Sequence, residues 1–149
     1  LHWVPQASLK ALYFELQKTG LAVRGAETVS DITRCPGADT CQIAITHSKG
    51  LAHEMDRIFK DGLGSDPAVQ DVTIKISGCT NSCGQHHIAN IGFHGASKTV
   101  EGRGVPHYQL MIGGFTGANG VAVFGKRIAQ IPARRTPEAT KALLDAFKK

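Results

Sequence analysis

Four cysteines in two close pairs constrain this chain more than any other feature. Cys35-Pro36-Gly37-Ala38-Asp39-Thr40-Cys41 is a C-x5-C, and Cys79-Thr80-Asn81-Ser82-Cys83 is a C-x3-C, with residues 42–78 between them. If the pairs act together, the fold must bring two loops to one place. Four thiolates converging in this way can hold a cubane iron–sulfur cluster, one cysteine per iron. Loops rich in Gly, Pro, Asn and Ser suit that task, because they turn tightly and can aim backbone N–H groups at sulfur. Structural zinc favours C-x2-C or C-x4-C knuckles. A thioredoxin-like motif needs C-x2-C. Disulfides belong to oxidising compartments, and the opening Leu1-His2-Trp3-Val4-Pro5 lacks the basic start and apolar run of a secretory leader. The spacing therefore favours a cluster, with zinc as the competing occupant.

The rest of the pattern predicts mixed α/β structure with helices flanking a sheet of mainly sequential strands. Ser8 is placed to cap a helix bearing Leu9, Leu12, Tyr13 and Leu16, which Gly20 stops. Val29–Thr33 reads as a short strand leading into Cys35. A helix is expected over about Ser48 to Lys60, with Leu51, Met55, Ile58 and Phe59 on one side. Val72, Ile74 and Ile76 alternate with polar residues, a half-buried strand ending just before Cys79. A helical turn within Asn81–Ala89 follows. Further strands are expected over Ile88–His94, His107–Ile112 and Val121–Ile131, the last bent at Gly125. Thr136-Pro137-Glu138 starts a final helix whose apolar side is Leu143, Leu144 and Phe147. Gly113-Gly114 and Gly117-Ala118-Asn119-Gly120 lack the context of a phosphate-binding loop and read as a β-connection.

Composition excludes several classes. Apolar residues make up 42% and charged residues 19% of the 149, a globular balance. No run of eighteen apolar residues is available for a membrane span. The net charge of +5 suits an anionic partner, although Arg134, Arg135, Lys141, Lys148 and Lys149 place much of it in the tail. Motifs for reading nucleic acid are missing. Four cysteines without a leader point to a reducing, cytoplasmic setting. A first residue other than Met is expected of a domain from within a longer polypeptide.

Two stretches around the cysteines resemble a known family. Thr33-Arg34-Cys35-Pro36-Gly37 through Cys41, then Ile45-Thr46-His47-Ser48-Lys49-Gly50-Leu51-Ala52, resembles the first cluster segment of sirohaem-dependent nitrite and sulfite reductases. Ile76-Ser77-Gly78-Cys79-Thr80-Asn81-Ser82-Cys83-Gly84-Gln85-His86-His87-Ile88-Ala89-Asn90-Ile91-Gly92 resembles the second. The resemblance runs from about Thr28 to Arg134. Thr80 stands where many relatives have proline.

The resemblance implies an α+β fold, with a mixed, mainly antiparallel sheet flanked by helices, forming one half of such a haemoprotein. Residues 1–25 would end a preceding small α/β (ferredoxin-like) segment, and residues 26–149 would form the sirohaem and [4Fe–4S] domain. Cys35, Cys41, Cys79 and Cys83 would bind the cluster, and Cys83 would also ligate the sirohaem iron. Asn81 would shape the loop and face the cofactor. Arg34, with Lys98 and Arg103, is a candidate for contact with sirohaem carboxylates. Of the histidines, His86 and His87 would be supporting residues rather than axial ligands, His94 and His107 lie on expected strands, and His47 and His53 read as polar helix-face residues. The reaction implied is the six-electron reduction of nitrite or sulfite, with ferredoxin or a flavoprotein as donor. Complete enzymes of the family have two pseudo-symmetric halves, so the remaining half is an expected partner and the chain alone is expected to be inactive. The competing reading is an iron–sulfur electron-transfer or scaffold module without sirohaem.

Overall fold

The computed structural model describes residues 1, 3–60, 62–117 and 119–148. His2 of the opening, Ala118 of the glycine-rich connection and Lys149 of the basic tail lie outside the described residues.

The site is positioned by a β-α-β unit. Strand β1 is only Thr33–Arg34, and β2 is Ile74–Ser77. Between them runs helix α2, Ser48–Lys60, with Leu51, Ala52, Met55 and Phe59 buried. Those positions recur at three- and four-residue intervals, so they share one helix face. β1 pairs parallel with β2, and β2 pairs parallel with β3, Ile91–Val100. The two cysteine pairs follow the carboxyl ends of β1 and β2. Because these strands are parallel neighbours, both loops emerge at the same end of the sheet, where open α/β sheets hold their ligands.

The sheet then turns antiparallel. β3 pairs with β4, Arg103–Ile112, from Ile91↔Ile112 to Val100↔Arg103. Glu101 and Gly102 turn this hairpin with φ of 50° and 76°. Two positive φ angles define the type I′ turn, whose twist matches that of the flanking strands. β5, Phe115–Thr116, and β6, Ala122–Val123, form a separate small ribbon. β7, Lys126–Pro132, pairs antiparallel with β4, with a bulge between Leu110 and Met111. The order is β1-β2-β3-β4-β7, mixed and mainly antiparallel along its ladder, as expected. Helices α1, Leu9–Lys18, and α3, Thr136–Phe147, complete the chain.

The core lies on one face of the sheet. Ile74, Ile76, Ile91, Phe93, Tyr108 and Leu110 pack there against α2 and against Leu144 of α3. Met55 sits at its centre with no exposure. Met55→Ala is expected to destabilise the chain by about 3 kcal/mol, the usual cost of a large-to-small change in a core. A urea midpoint that stayed at the wild-type value would contradict this packing.

Several elements differ from the sequence expectation. The strand expected over Val29–Thr33 is reduced to the pair β1, because Val29 and Ile32 turn into the core instead of pairing. The helical turn within Asn81–Ala89 is a 3-10 turn, His86–Ile88. The strand expected over Ile88–His94 starts at Ile91 and continues to Val100, and the one expected from His107 starts at Arg103. Residues 97–104 are exposed, so cross-strand pairing rather than a buried face holds that end of the hairpin. Gly125 splits the fourth expected strand into β6 and β7. A Cβ there would press on the Gly114 nitrogen and the Ile112 carbonyl. Ser8 is the N-cap of α1 but makes no side-chain cap bond, and the apolar side of α1 is not buried. Phe147 is 67% exposed rather than packed with Leu144. Among the described residues, no helix is long and apolar enough to cross a membrane.

Candidate functional site

Gly78 stitches the two cysteine loops together. Its N–H donates to Cys35 Sγ at 3.1 Å. Its carbonyl accepts the Ile45 N–H at 2.8 Å, the Thr46 N–H at 3.1 Å and the Thr46 hydroxyl at 3.3 Å. The Cys35 N–H donates to the Ile76 carbonyl, continuing the β1–β2 ladder into the loop. Only glycine fits this crossing. A Cβ on Gly78 would lie 2.9 Å from the Thr46 carbonyl oxygen, 3.0 Å from Gly37 Cα and 3.1 Å from Ala44 Cβ.

Cys35 is held ready to ionise. Burial raises its pKa, but the Ser48 hydroxyl and the Gly78 and Gly37 backbones outweigh that and hold it below the ordinary thiol value. Ser48 Oγ lies 3.3 Å from Cys35 Sγ and donates to the Cys35 carbonyl at 2.8 Å. On ionisation of the thiol the hydroxyl proton can turn to the sulfur. Cys41, whose N–H donates to the Gly37 carbonyl, is half-buried, as are Cys35 and Cys79, whereas Cys83 is exposed. All four are free. Among the described residues, no three of His, Cys, Asp and Glu are gathered closely enough to share one metal ion. A tetrahedral zinc ion needs its sulfurs about 2.3 Å from a common centre. A cubane gives each thiolate its own iron, and so accepts a wider spread. The donor set, four free thiols on two loops locked together with the Gly78 N–H aimed at Cys35 Sγ, fits a cluster.

The second loop is tightly wound. Ser82 and Gln85 both adopt positive φ, 62° and 59°, and the Gln85 N–H closes on the Ser82 carbonyl at 2.7 Å. Non-glycine residues rarely occupy this region, and such strain concentrates where geometry is functional. Behind the loop stands a group of histidines. His86 is fully buried, its ring 4.1 Å from that of His87 and 4.9 Å from that of His94. His86 Nδ1 lies 2.9 Å from Ser77 Oγ, while its buried Nε2 has no hydrogen-bond partner among the described residues. His87 Nδ1 contacts Ser82 Oγ at 3.2 Å. Burial, with smaller contributions from His87, His94 and Arg127, pushes His86 down from 6.5 to about 3. Burial likewise lowers His94. His107 is buried on β4, with Nδ1 2.9 Å from the Val105 carbonyl.

The buried His86 ring makes stability depend on acid. The folded chain resists protonating this ring, whereas the unfolded chain does so near 6.5. Its stabilising contribution is complete above pH 6.5 and drains away as pH falls toward 3, at up to about 1.4 kcal/mol per pH unit. Urea midpoints at pH 7.5 and 5 should therefore differ, and His86→Asn should flatten that difference. An equally steep acid slope in the variant would contradict it.

The other expected site residues are spread. Asn81 is exposed on the Cys79–Cys83 loop, and Arg34 is exposed on β1 beside Cys35. Lys98 and Arg103 are exposed on the far end of the β3–β4 hairpin. His47 precedes α2 and lies 3.3 Å from Asp39 of the first loop, and His53 is exposed on α2. Ser48, Thr46, Gly78 and Ser77 were not singled out as functional from the sequence. Ser48 carried the only available signal, a hydroxyl opening a helix a few residues after a cysteine pair. Tyr108 was also missed. Its hydroxyl is buried near Thr46, and burial, opposed by Thr46, pushes it up to about 12.

Known proteins resemble this chain in sequence and fold. The family model described as Nitrite and sulphite reductase 4Fe-4S domain matches residues 25–149. The assimilatory ferredoxin-dependent nitrite reductase of Haloferax mediterranei is 32% identical over 114 residues, covering 76% of this chain and 19% of that protein. A sulfite reductase [ferredoxin] of Mycobacterium tuberculosis is 30% identical over 132 residues, covering 85% of this chain and 23% of that protein. Among solved structures, the Mycobacterium tuberculosis NirA protein aligns with a TM-score of 0.72 and 25% identity, over 95% of this chain and 27% of that one. A dissimilatory sulfite reductase I shares the fold at a TM-score of 0.67 and 12% identity. The chain thus spans about a fifth of the length of these curated relatives.

Proposed function

Because the chain belongs to the nitrite and sulphite reductase 4Fe-4S domain family, we propose that it carries the [4Fe–4S] cluster and one side of the sirohaem site of a nitrite or sulfite reductase. Cys35, Cys41, Cys79 and Cys83 hold the cluster, and Cys83 also ligates the sirohaem iron. The observation that carries this reading is the Gly78 crossing, which locks the two loops together and donates to Cys35 Sγ. The bridging role of Cys83 is supported by its exposure, since a thiolate shared with a second large group must face outward while the others face the cluster.

When bound, the two groups would relay electrons from the external donor, a few at a time, for a six-electron reduction, of nitrite to ammonia or of sulfite to sulfide. The chain's own residues bind and orient. Ser48 and Gly78 favour ionisation of Cys35, and the positive-φ residues Ser82 and Gln85 lie on either side of the exposed Cys83. Asn81 and Arg34 flank the exposed side, where Arg34 suits the carboxylates of sirohaem. Residues 1–25 end a preceding segment, a division supported by the start of the family match and by an α1 that buries no residue. The rest of the enzyme completes the pocket, so this chain alone is inactive. The electron donor is ferredoxin or a flavoprotein, and the setting is cytoplasmic.

Sirohaem added anaerobically to the cluster-loaded chain tests the assignment. Wild type should shift the haem bands of the added sirohaem, and Cys83→Ser should not, while neither should turn over nitrite or sulfite. Equal shifts in both proteins would remove Cys83 from the bridging position. No shift in either would leave a cluster-only electron-transfer module as the better reading.

A further inference from the structure

The Cys79–Cys83 loop is anchored from behind by one hydroxyl. Ser77 is the last residue of β2, is 1% exposed, and stands two residues before Cys79. Its Oγ accepts the Gly84 N–H at 3.1 Å and lies 2.9 Å from His86 Nδ1. A hydroxyl has one proton. With Gly84 donating to the oxygen, the hydroxyl can still give that proton to Nδ1 or accept one from it, so the contact holds for either tautomer of His86. One side chain at the loop's entry thus grips two residues at its exit.

The surroundings leave the exit no other place. A Cβ on Gly84 would overlap the Ile76 carbonyl, so the backbone after Cys83 lies flat against β2. Lys75 Nζ donates to Gln85 Oε1 at 2.9 Å, and the Gly125 N–H donates to the His87 carbonyl at 2.7 Å. Of these ties, the Ser77 bonds are the buried ones, and they close the loop nearest its two cysteines. A buried hydrogen bond left half-made costs more than an exposed one, because the stranded group cannot turn to water.

We propose that Ser77 is a positioning residue for the cluster, its hydroxyl fixing through Gly84 and His86 the loop conformation in which Cys79 and Cys83 are presented. This inference rests on the [4Fe–4S] reading given above. Among the described residues no hydrogen bond links Ser77 to either cysteine sulfur, and it acts through the Gly84 backbone and the His86 ring.

Two measurements on the chain test it. In the metal-free protein, Ser77→Ala should speed amide exchange of Gly84 roughly tenfold, the loss of about one buried hydrogen bond, with Ile74 and Ile91 unchanged. In the iron- and sulfide-reconstituted protein, the same variant should turn a single EPR signal of the reduced cluster into a mixture, and should lose iron to a chelator about tenfold faster. Ser77→Thr, which keeps the hydroxyl, should restore both. Unchanged Gly84 exchange, or changed exchange with wild-type EPR and iron loss, overturns the proposal. A wild-type chain that takes up no cluster while Gly84 exchange still responds identifies the cluster reading as the failure, and the positioning role falls with it.

Discussion

Cys35→Ser should bring the reconstituted chain from about four irons to nearly none, with loss of the brown visible shoulder. The effect should be this large because Cys35 is the most preorganised of the four. Its sulfur receives the Gly78 N–H and faces the Ser48 hydroxyl, and together with the Gly37 backbone they lower its pKa against the pull of burial. Serine would keep the space and most of the hydrogen bonding. Its hydroxyl, however, stays protonated near neutral pH and is a hard, poor ligand for iron–sulfur clusters. The fold should survive, since Cys35 is only half-buried. Iron retained at the wild-type level would mean that Cys35 is not a ligand.

Gly95→Ala should cost stability on the scale of a core truncation. Gly95 lies within β3, and a Cβ there would overlap the Gly78 carbonyl oxygen and stand 2.5 Å from Thr46 Oγ1. That carbonyl is the acceptor on which Ile45 and Thr46 converge. Relief requires the β3 backbone to retreat or the stitch between the cysteine loops to open. The cost should reach about 3 kcal/mol, the upper end for overpacking, which lowers the melting temperature by roughly 10 °C. Cluster content should fall with it. Gly50→Ala is the control. Gly50 is exposed in α2 and a Cβ there meets only His47 Cβ at 3.6 Å, so alanine should raise stability by about 0.5 kcal/mol. Similar melting temperatures for both variants would contradict the close approach at Gly95.

The legible parts of the fold were those with a buried face. Helix α2 matches its expected bounds, because Leu51, Met55 and Phe59 repeat at helical spacing and all reach the core. β2 was legible from the alternation of Val72, Ile74 and Ile76. The outer half of the β3–β4 hairpin was not, because residues 97–104 are exposed and mostly polar and owe their extension to pairing across a Glu-Gly turn. α1 had a clear apolar stripe, yet none of it is buried, so periodicity announced the helix without telling what it packs against. The site divides in the same way. Cysteine spacing and local resemblance named the ligand candidates. The groups around them, Gly78, Ser48 and Ser77, act through a carbonyl, an N–H and two hydroxyls whose partners lie from 7 to 43 residues away. A side chain's type shows that it can donate, but only the fold shows to what.

The central claim is that the two cysteine loops form one cluster site, and iron and acid-labile sulfide per chain test it most directly. On anaerobically reconstituted protein, with the visible spectrum recorded alongside, about four irons and as many sulfides per chain, with a broad brown shoulder, are predicted. One zinc per chain, or a folded protein that takes up no iron and sulfide, would contradict it.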